Sequence, residues 1–335
     1  MSGSRGRAFW QWPLSIGVSA GLLYLSLRGI EWLRVWHTIA AARWGYLVAA
    51  AGITACSLFL RGVRWRILLN AEGNLGVMTV FWANMAGYVG NSLLPARAGE
   101  VIRSLLISGR SALSKTYVFT TALGERMVDV IALVLWSSIV LLGVKPKPAW
   151  MTGISGTMAA VAGAGAVLIL VLPHTGTLLA AVLRHIPMPA GIHERLLDLL
   201  NQVLLGLRAF HDGRRLSGFA FLTVVVWSLD AITTIVGATG LGLRISFPVA
   251  MLLLTGLGLG SALPSTPGYV GVYQFVAVTV LPPFGIPRDQ ALAYILVFQA
   301  IGYTTVLTLG LPGLHLLRGS LWMPGVREQR NRKPV

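Results

Sequence analysis

Glu125, Arg126 and Asp129 stand together inside an otherwise apolar stretch. At about 100° per helical residue they fall within an arc of roughly 100°, so one face of a helix carries two acids and a base. Ionisable groups inside a membrane are costly and usually face a cavity or one another. Such a face serves a polar pathway, with Arg126 attracting an anionic headgroup while Glu125 or Asp129 balances the charge or carries a proton. It serves equally as a buried ion cluster that fixes helix packing.

A second group precedes it. Arg97, Glu100 and Arg103 lie within an arc of roughly 120° on a short helix that begins near Pro95. The free amides at such a helix start attract anions, which makes a phosphate site with Asn91 close by in sequence. The same residues also read as a basic cytoplasmic helix end neutralised by Glu100. Arg61, Arg64 and Arg66 fall where the second helix is expected to end, a place for topology determinants in contact with lipid phosphates, and Arg64 is also kept as a candidate ligand. Asp230 is a lone acid in its helix, to be matched by a distant base or by a coupling proton.

The run 264–274 contributes Ser265, Pro267, Gly268, Tyr273 and Gln274, which offer a hydroxyl, loosened backbone carbonyls and an amide but no charge. It reads a headgroup or only bends the chain. The six histidines are scattered, and neither a phosphate-binding glycine loop nor a nucleophile elbow is present, so no metal, no cofactor and no catalytic residue is expected. Cys56, the single cysteine, is expected to be a small packing residue.

The elements that carry these residues follow from composition. The chain has 335 residues, a mean hydropathy of +0.72 and 11% charged residues, where a soluble domain carries about 25%. The expected fold class is all-α, a polytopic integral membrane protein forming a single transmembrane domain over 1–335, because only helices satisfy backbone amides in lipid without closing a barrel. Crossing helices are expected at about 13–29, 45–61, 116–144, 152–172, 218–241 and 289–317. The first resembles a signal peptide but is read as uncleaved, since Arg28 and a Trp-rich segment follow it.

Two further apolar segments, 76–110 and 247–284, are each interrupted by proline and glycine, at 93–99 and 263–268. Such breaks free backbone groups that bare lipid cannot satisfy, so they are expected to line a cavity or be packed in protein. If both segments are re-entrant hairpins and the N-terminus is cytoplasmic, nineteen basic residues fall inside and seven outside, in keeping with the positive-inside rule. An eight-crossing arrangement is the alternative. The net charge of +16 is then a membrane feature, not a sign of a nucleic-acid partner.

A shift of 169 residues aligns Gly87 with Gly256, Ser92 with Ser261, Leu94 and Pro95 with Leu263 and Pro264, and Gly99 with Gly268. The implied repeats, about 13–144 and about 152–317, make eight membrane segments. Three crossings separate the hairpins, which gives an inverted repeat of the kind that places broken helices around a midplane site. Residues 190–212 form an amphipathic pattern suited to a helix on the cytoplasmic surface, and Trp32, Arg34 and Trp36 suit the outer interface.

Arg64-Trp65-Arg66, Asn91 through Arg103, Glu125-Arg126-Met127-Val128-Asp129 and the run 264–274 occur in an order that resembles the lysylphosphatidylglycerol synthase transmembrane-region family of flippase-like membrane proteins. The resemblance covers nearly the whole chain. It implies a lipid flippase or translocase in a bacterial cytoplasmic membrane, with both termini cytoplasmic, moving an anionic phospholipid or polyprenyl-phosphate lipid. Its partners would be membrane lipids and a glycosyltransferase or lipid-modifying enzyme, and hopanoid gene sets are a further association. Two departures stand out: the family's soluble aminoacyl-transferring domain is not expected here, and Gln274 takes a place where many members would carry an acid. The rival readings are a lipid-modifying enzyme and a scaffold for such an enzyme.

Overall fold

In a computed structural model the chain is helical throughout its described residues, which are 3–94, 98–143, 175–185, 190–208, 210–261, 263 and 266–322, with single positions between 156 and 171. The helices are α1 (Gly3–Leu27), α2 (Trp32–Ala40), α3 (Trp44–Leu69), α4 (Val77–Leu93), α5 (Gly99–Ser108), α6 (Lys115–Gly143), α7 (Gly176–His185), α8 (Ala190–Arg208), α9 (Gly213–Gly240), α10 (Phe247–Gly260), α11 (Val272–Val280) and α12 (Arg288–Trp322). Among them, Trp44–Leu69, Gly213–Gly240 and Arg288–Leu316 are long and apolar enough to cross a membrane. The protein is therefore an integral membrane protein. The expected crossing at 152–172 lies almost wholly outside the described residues.

Both proline- and glycine-broken segments are antiparallel helix pairs. In the first, Gly87 faces Gly99 and Arg103, and Gly90 faces Gly99 and Ile102; a Cβ on Gly99 would sit 1.9 Å from the carbonyl oxygen of Gly87. No side chain larger than hydrogen fits between these backbones. Asn91 closes the turn, its Oδ1 accepting from the backbone N–H of Gly99 at 2.9 Å. In the second, Gly256 faces Val276 and Val280, while Gly260 faces Val272 and Val276.

Helices α3 and α9 pack antiparallel. Arg43 donates from its backbone N–H to Gly240 at 2.8 Å, Ser57 donates to Asp230 at 2.6 Å, and Arg64 donates to Thr223 at 3.1 Å. Their first residues, Trp44 and Gly213, are 169 positions apart. The start of α9 is set by Asp212, whose carboxylate accepts from the backbone N–H groups of Arg214 and Arg215 at 2.9 and 3.2 Å and so satisfies two of the donors a helix start leaves open. Helix α12 runs through Pro312 and lies close on α4, with Gly310 against Met85 and Gly313 against Trp82. Among the described residues two larger apolar cores result, one around α9 to α12 and one around α3 to α6, with a smaller one at Leu58, Phe81 and Met85.

Three expectations need correction. Helix α3 does not stop at residue 61 but continues for two more turns to Leu69, because its arginines find protein partners there instead of lipid phosphates. Arg66, for example, donates from Nε to the carbonyl of Leu75 at 2.5 Å. The amphipathic segment 190–212 turns the C-terminal part of its apolar side onto protein, not onto a membrane surface: Leu204, Leu207 and Phe210 are buried, Gly206 meets Thr120 and Gly124 meets Phe210, while Leu199 stays exposed. Cys56 is exposed on α3 and does not serve as packing. The short helix α2 keeps Trp32 and Trp36 exposed and buries Val35.

Candidate functional site

Four helices bring eight charged side chains together. From α3 come Arg61 and Arg64, from α5 Glu100 and Arg103, from α6 Glu125, Arg126 and Asp129, and from α9 Asp230. Arg64 has no exposed surface. It donates to both oxygens of Asp129 at 2.7 and 3.0 Å and to Glu125 at 2.7 Å, and its guanidinium lies over Phe219. Arg103 reaches the other oxygen of Glu125 at 3.0 Å, Glu100 at 2.5 Å and Asn84 at 2.8 Å, over the ring of Trp65. Glu125 thus holds two arginines, one on each oxygen.

Desolvating a charge costs several kcal/mol even after relaxation. The arrangement offsets this by matching four guanidinium groups with four carboxylates and adding neutral donors, such as the Trp227 indole N–H to Asp129 at 3.1 Å.

This ion layer forms one side of a cavity of about 350 Å³. Its wall carries Arg61, Glu100, Arg126, Asp129 and Asp230, together with Ser57, Tyr88, Asn91 and Trp227. Arg61 pairs closely with Asp230 and lies 3.9 Å from Asp129. Arg126 bonds Glu100 at 3.0 Å and stands 3.6 Å from Asp129, with 27% of its side chain exposed. Since Arg126 is eleven residues into α6, it lies roughly 16 Å from that helix's start.

The cavity lining from α10, the turn 267–269, α11 and α12 is uncharged, and an amide network stands beside it. Gln274 accepts from the backbone N–H of Gly271 at 2.7 Å and donates to Gln299 at 2.5 Å. Gln299 in turn donates to the carbonyl of Gly268 at 3.1 Å, and Tyr303 donates to the same carbonyl. The oxygen freed by the second break is therefore satisfied inside protein. Backbone φ is positive at Gly268, Tyr269 and Gly271, a region where a side-chain-bearing residue such as Tyr269 is strained. Helix α1 holds this turn: Ser19 Oγ accepts from the backbone N–H of Thr266 at 2.9 Å, and a Cβ on Gly271 would meet the Ser19 carbonyl at 2.2 Å. The two breaks approach each other here, since a Cβ on Gly268 would lie 3.8 Å from the Ser92 carbonyl.

Of the residues singled out in the sequence, Asn91, Glu100, Arg126, Asp129, Asp230 and Tyr273 line the cavity. Arg64, Arg103 and Glu125 lie behind its wall, both arginines paired with Glu125. Gly268 and Gln274 belong to the amide network, and Pro267 opens a single 3-10 turn. Pro95, Arg97 and Ser265 lie outside the described residues. Arg61 is on the cavity wall, not at a lipid-facing helix end. Gln299 and Tyr303 also line the cavity and were not among the sequence candidates, although polar residues at i and i+4 on the apolar helix α12 are a face signal; nor was Ser57, four residues before Arg61 on α3.

A family model described as the lysylphosphatidylglycerol synthase TM region matches residues 12–310. The chain belongs to this family. The chain is 27% identical over 268 residues to the glycosyltransferase AglD of Haloferax volcanii, a match covering 70% of this chain and 42% of that protein. It is also 24% identical over 324 residues to the UPF0104 membrane protein PH1989 of Pyrococcus horikoshii, covering 88% of this chain and 93% of the other. The chain therefore matches less than half the length of AglD but nearly all of PH1989. The family match takes in both broken segments and the whole ion layer.

Proposed function

We propose that this family member translocates a lipid with an anionic, phosphate-bearing headgroup across the cytoplasmic membrane, with both termini on the cytoplasmic side. The observation that carries the reading is the pair of arginines, Arg61 and Arg126, on the wall of a cavity where two broken helices meet. Arg126 has one close carboxylate partner and an exposed fraction, so a phosphate can share or replace Glu100 without leaving a bare charge. Arg61, between Asp230 and Asp129, supplies the second cationic contact. Arg64, Arg103 and Glu125 hold these groups in place from behind.

On this reading α4–α5 and α10–α11 are re-entrant hairpins from opposite faces of an inverted repeat, and small movements of either expose the cavity to one leaflet or the other while the acyl or prenyl tails stay in lipid. The antiparallel pairing of α3 with α9, begun 169 residues apart, supports that arrangement. So does the charge bias: Arg61, Arg64 and Arg103 are buried and leave the cytoplasmic tally, yet sixteen basic residues against seven still favour that side.

The test is headgroup accessibility in proteoliposomes, with phosphatidylglycerol, lysylphosphatidylglycerol and a polyprenyl-phosphate sugar each labelled in the headgroup. Transfer of at least one lipid above protein-free vesicles is the expected result; transfer of none would reject the proposal. A second reading, lipid modification by the chain or by an enzyme it scaffolds, draws on the glycosyltransferase name of one relative. Product formed from labelled lipid and a nucleotide sugar, without transbilayer movement, would favour it.

A further inference from the structure

The two sides of the cavity ask for different chemistry from one ligand. The ionic side takes a phosphate. On the other, the lining residues from α10, the turn 267–269, α11 and α12 carry no charge and present tyrosine rings with an amide. Tyr269 and Tyr273 stack in parallel, centroids 5.0 Å apart, and Gln299 and Tyr303 extend the polar rim. On α9, Thr233 also lines the cavity, 5% exposed, with its hydroxyl lacking a hydrogen-bond partner.

A headgroup bearing an ammonium would need a carboxylate with charge to spare. Glu100, Asp129 and Asp230, the acids on the wall, are each held by an arginine, and the eight-membered ion layer is neutral as a whole. Their side chains are 6–19% exposed against 27% for Arg126, so an added cation would meet less accessible counter-charge than an added phosphate. A sugar ring has the opposite profile. Its hydroxyls both donate and accept, as amide and hydroxyl side chains require, and its C–H face packs on aromatic rings. The volume, about 350 Å³, lies near the small end of ligand sites, about 300–1,000 Å³. It has room for one phosphate and one ring.

We infer that the cavity selects a phosphate-linked monosaccharide over aminoacylated or unglycosylated phosphate headgroups, with the phosphate at Arg61 and Arg126 and the ring against Tyr269, Tyr273 and Gln299. The inference rests on the proposed function for the phosphate's place and for its lipid origin, while ring recognition is independent of transport.

Equilibrium binding to the full chain in nanodiscs tests it, with four probes: polyprenyl-phosphate hexose, bare polyprenyl phosphate, lysylphosphatidylglycerol and free hexose 1-phosphate. The glycosylated lipid is expected to bind about tenfold or more tightly than the other two lipids, the effect of one or two hydrogen bonds. Gln299→Leu and the nearly isosteric Thr233→Val should each shrink that preference, and the second variant serves if the first disturbs folding at Gly268. Equal binding of glycosylated and bare lipid, tighter binding of the lysyl lipid, or a preference unchanged in both variants would overturn the inference. Free hexose 1-phosphate binding as tightly as the lipid would overturn the lipid origin. A sugar preference without transfer in vesicles would leave ring recognition standing and remove the translocase reading; transfer of all lipids at equal rates and affinities would do the reverse.

Discussion

Each broken segment is tied to the long helix that follows it by side-chain pairs, and one pair from each differs in kind from the other. In the first half, Glu100 of α5 meets Arg126 of α6 at 3.0 Å. In the second, Gln274 of α11 meets Gln299 of α12 at 2.5 Å. Both join the second helix of a hairpin to its neighbour across the cavity rim. The ionic joint sits in a lattice of eight charges and leaves part of its arginine exposed, so an incoming anion can enter the exchange. The amide joint caps Gly271 and satisfies Gly268, leaves the Gln299 oxygen one lone pair for a ligand hydroxyl, and responds little to charge. One joint lies on the charged part of the cavity lining and the other beside its neutral part.

Breaking the ionic side should have the largest effect. Arg64→Ala leaves Glu125 and Asp129 buried with fewer partners, and a loss of about 3–5 kcal/mol is expected, read as a collapse in thermal unfolding temperature of the detergent-solubilised protein. A change within error would mean that water reaches the ion layer. On the neutral side, Gln274→Leu strands the Gly271 N–H and one amide oxygen of Gln299. The expected cost is about 1–3 kcal/mol, seen in the same measurement. Rebuilding the first half's chemistry with Gln274→Glu and Gln299→Arg together should recover stability relative to Gln274→Glu alone; no recovery would show that the two joints are not interchangeable in geometry.

Smaller effects sharpen the comparison at glycines related by 169 residues. At Gly87 a Cβ would stand 2.9 Å from the backbone oxygen of Gly99, whereas at Gly256 its closest neighbour is a side-chain methyl of Val276 at 2.7 Å. Backbone cannot yield as a rotamer can. Gly87→Ala should therefore lower stability by about 1–3 kcal/mol and Gly256→Ala by less, and the reverse order would contradict the packing described here.

Much of the fold was legible before the structure. Apolar runs of crossing length, two proline-glycine breaks and their common shift all follow from periodicity and backbone chemistry, and both breaks prove to be antiparallel helix pairs. The charged face of Glu125, Arg126 and Asp129 was likewise visible, since it needs only the helical repeat. The end of α3 was not. Arg61, Arg64 and Arg66 look like a helix reaching water, and only carboxylates 61 to 169 positions away in sequence, on α6 and α9, allow the first two to stay inside. Pairing with Glu125, 22 positions on in sequence, likewise moved Arg103 from an expected phosphate ligand to a strut behind the wall. Gln299 and Tyr303 were hidden because their partner is a backbone carbonyl freed by a turn in another segment.

The most direct test of the account is the transfer rate of headgroup-labelled lipid in proteoliposomes by Arg126→Ala, beside wild type and with folding verified by its unfolding temperature. The account predicts a fall of about tenfold or more with a nearly normal unfolding temperature, since Arg126 is the exposed member of the lattice and the phosphate's first contact. Transfer at the wild-type rate would take Arg126 out of the mechanism and with it the claim that the ionic side of the cavity carries the headgroup.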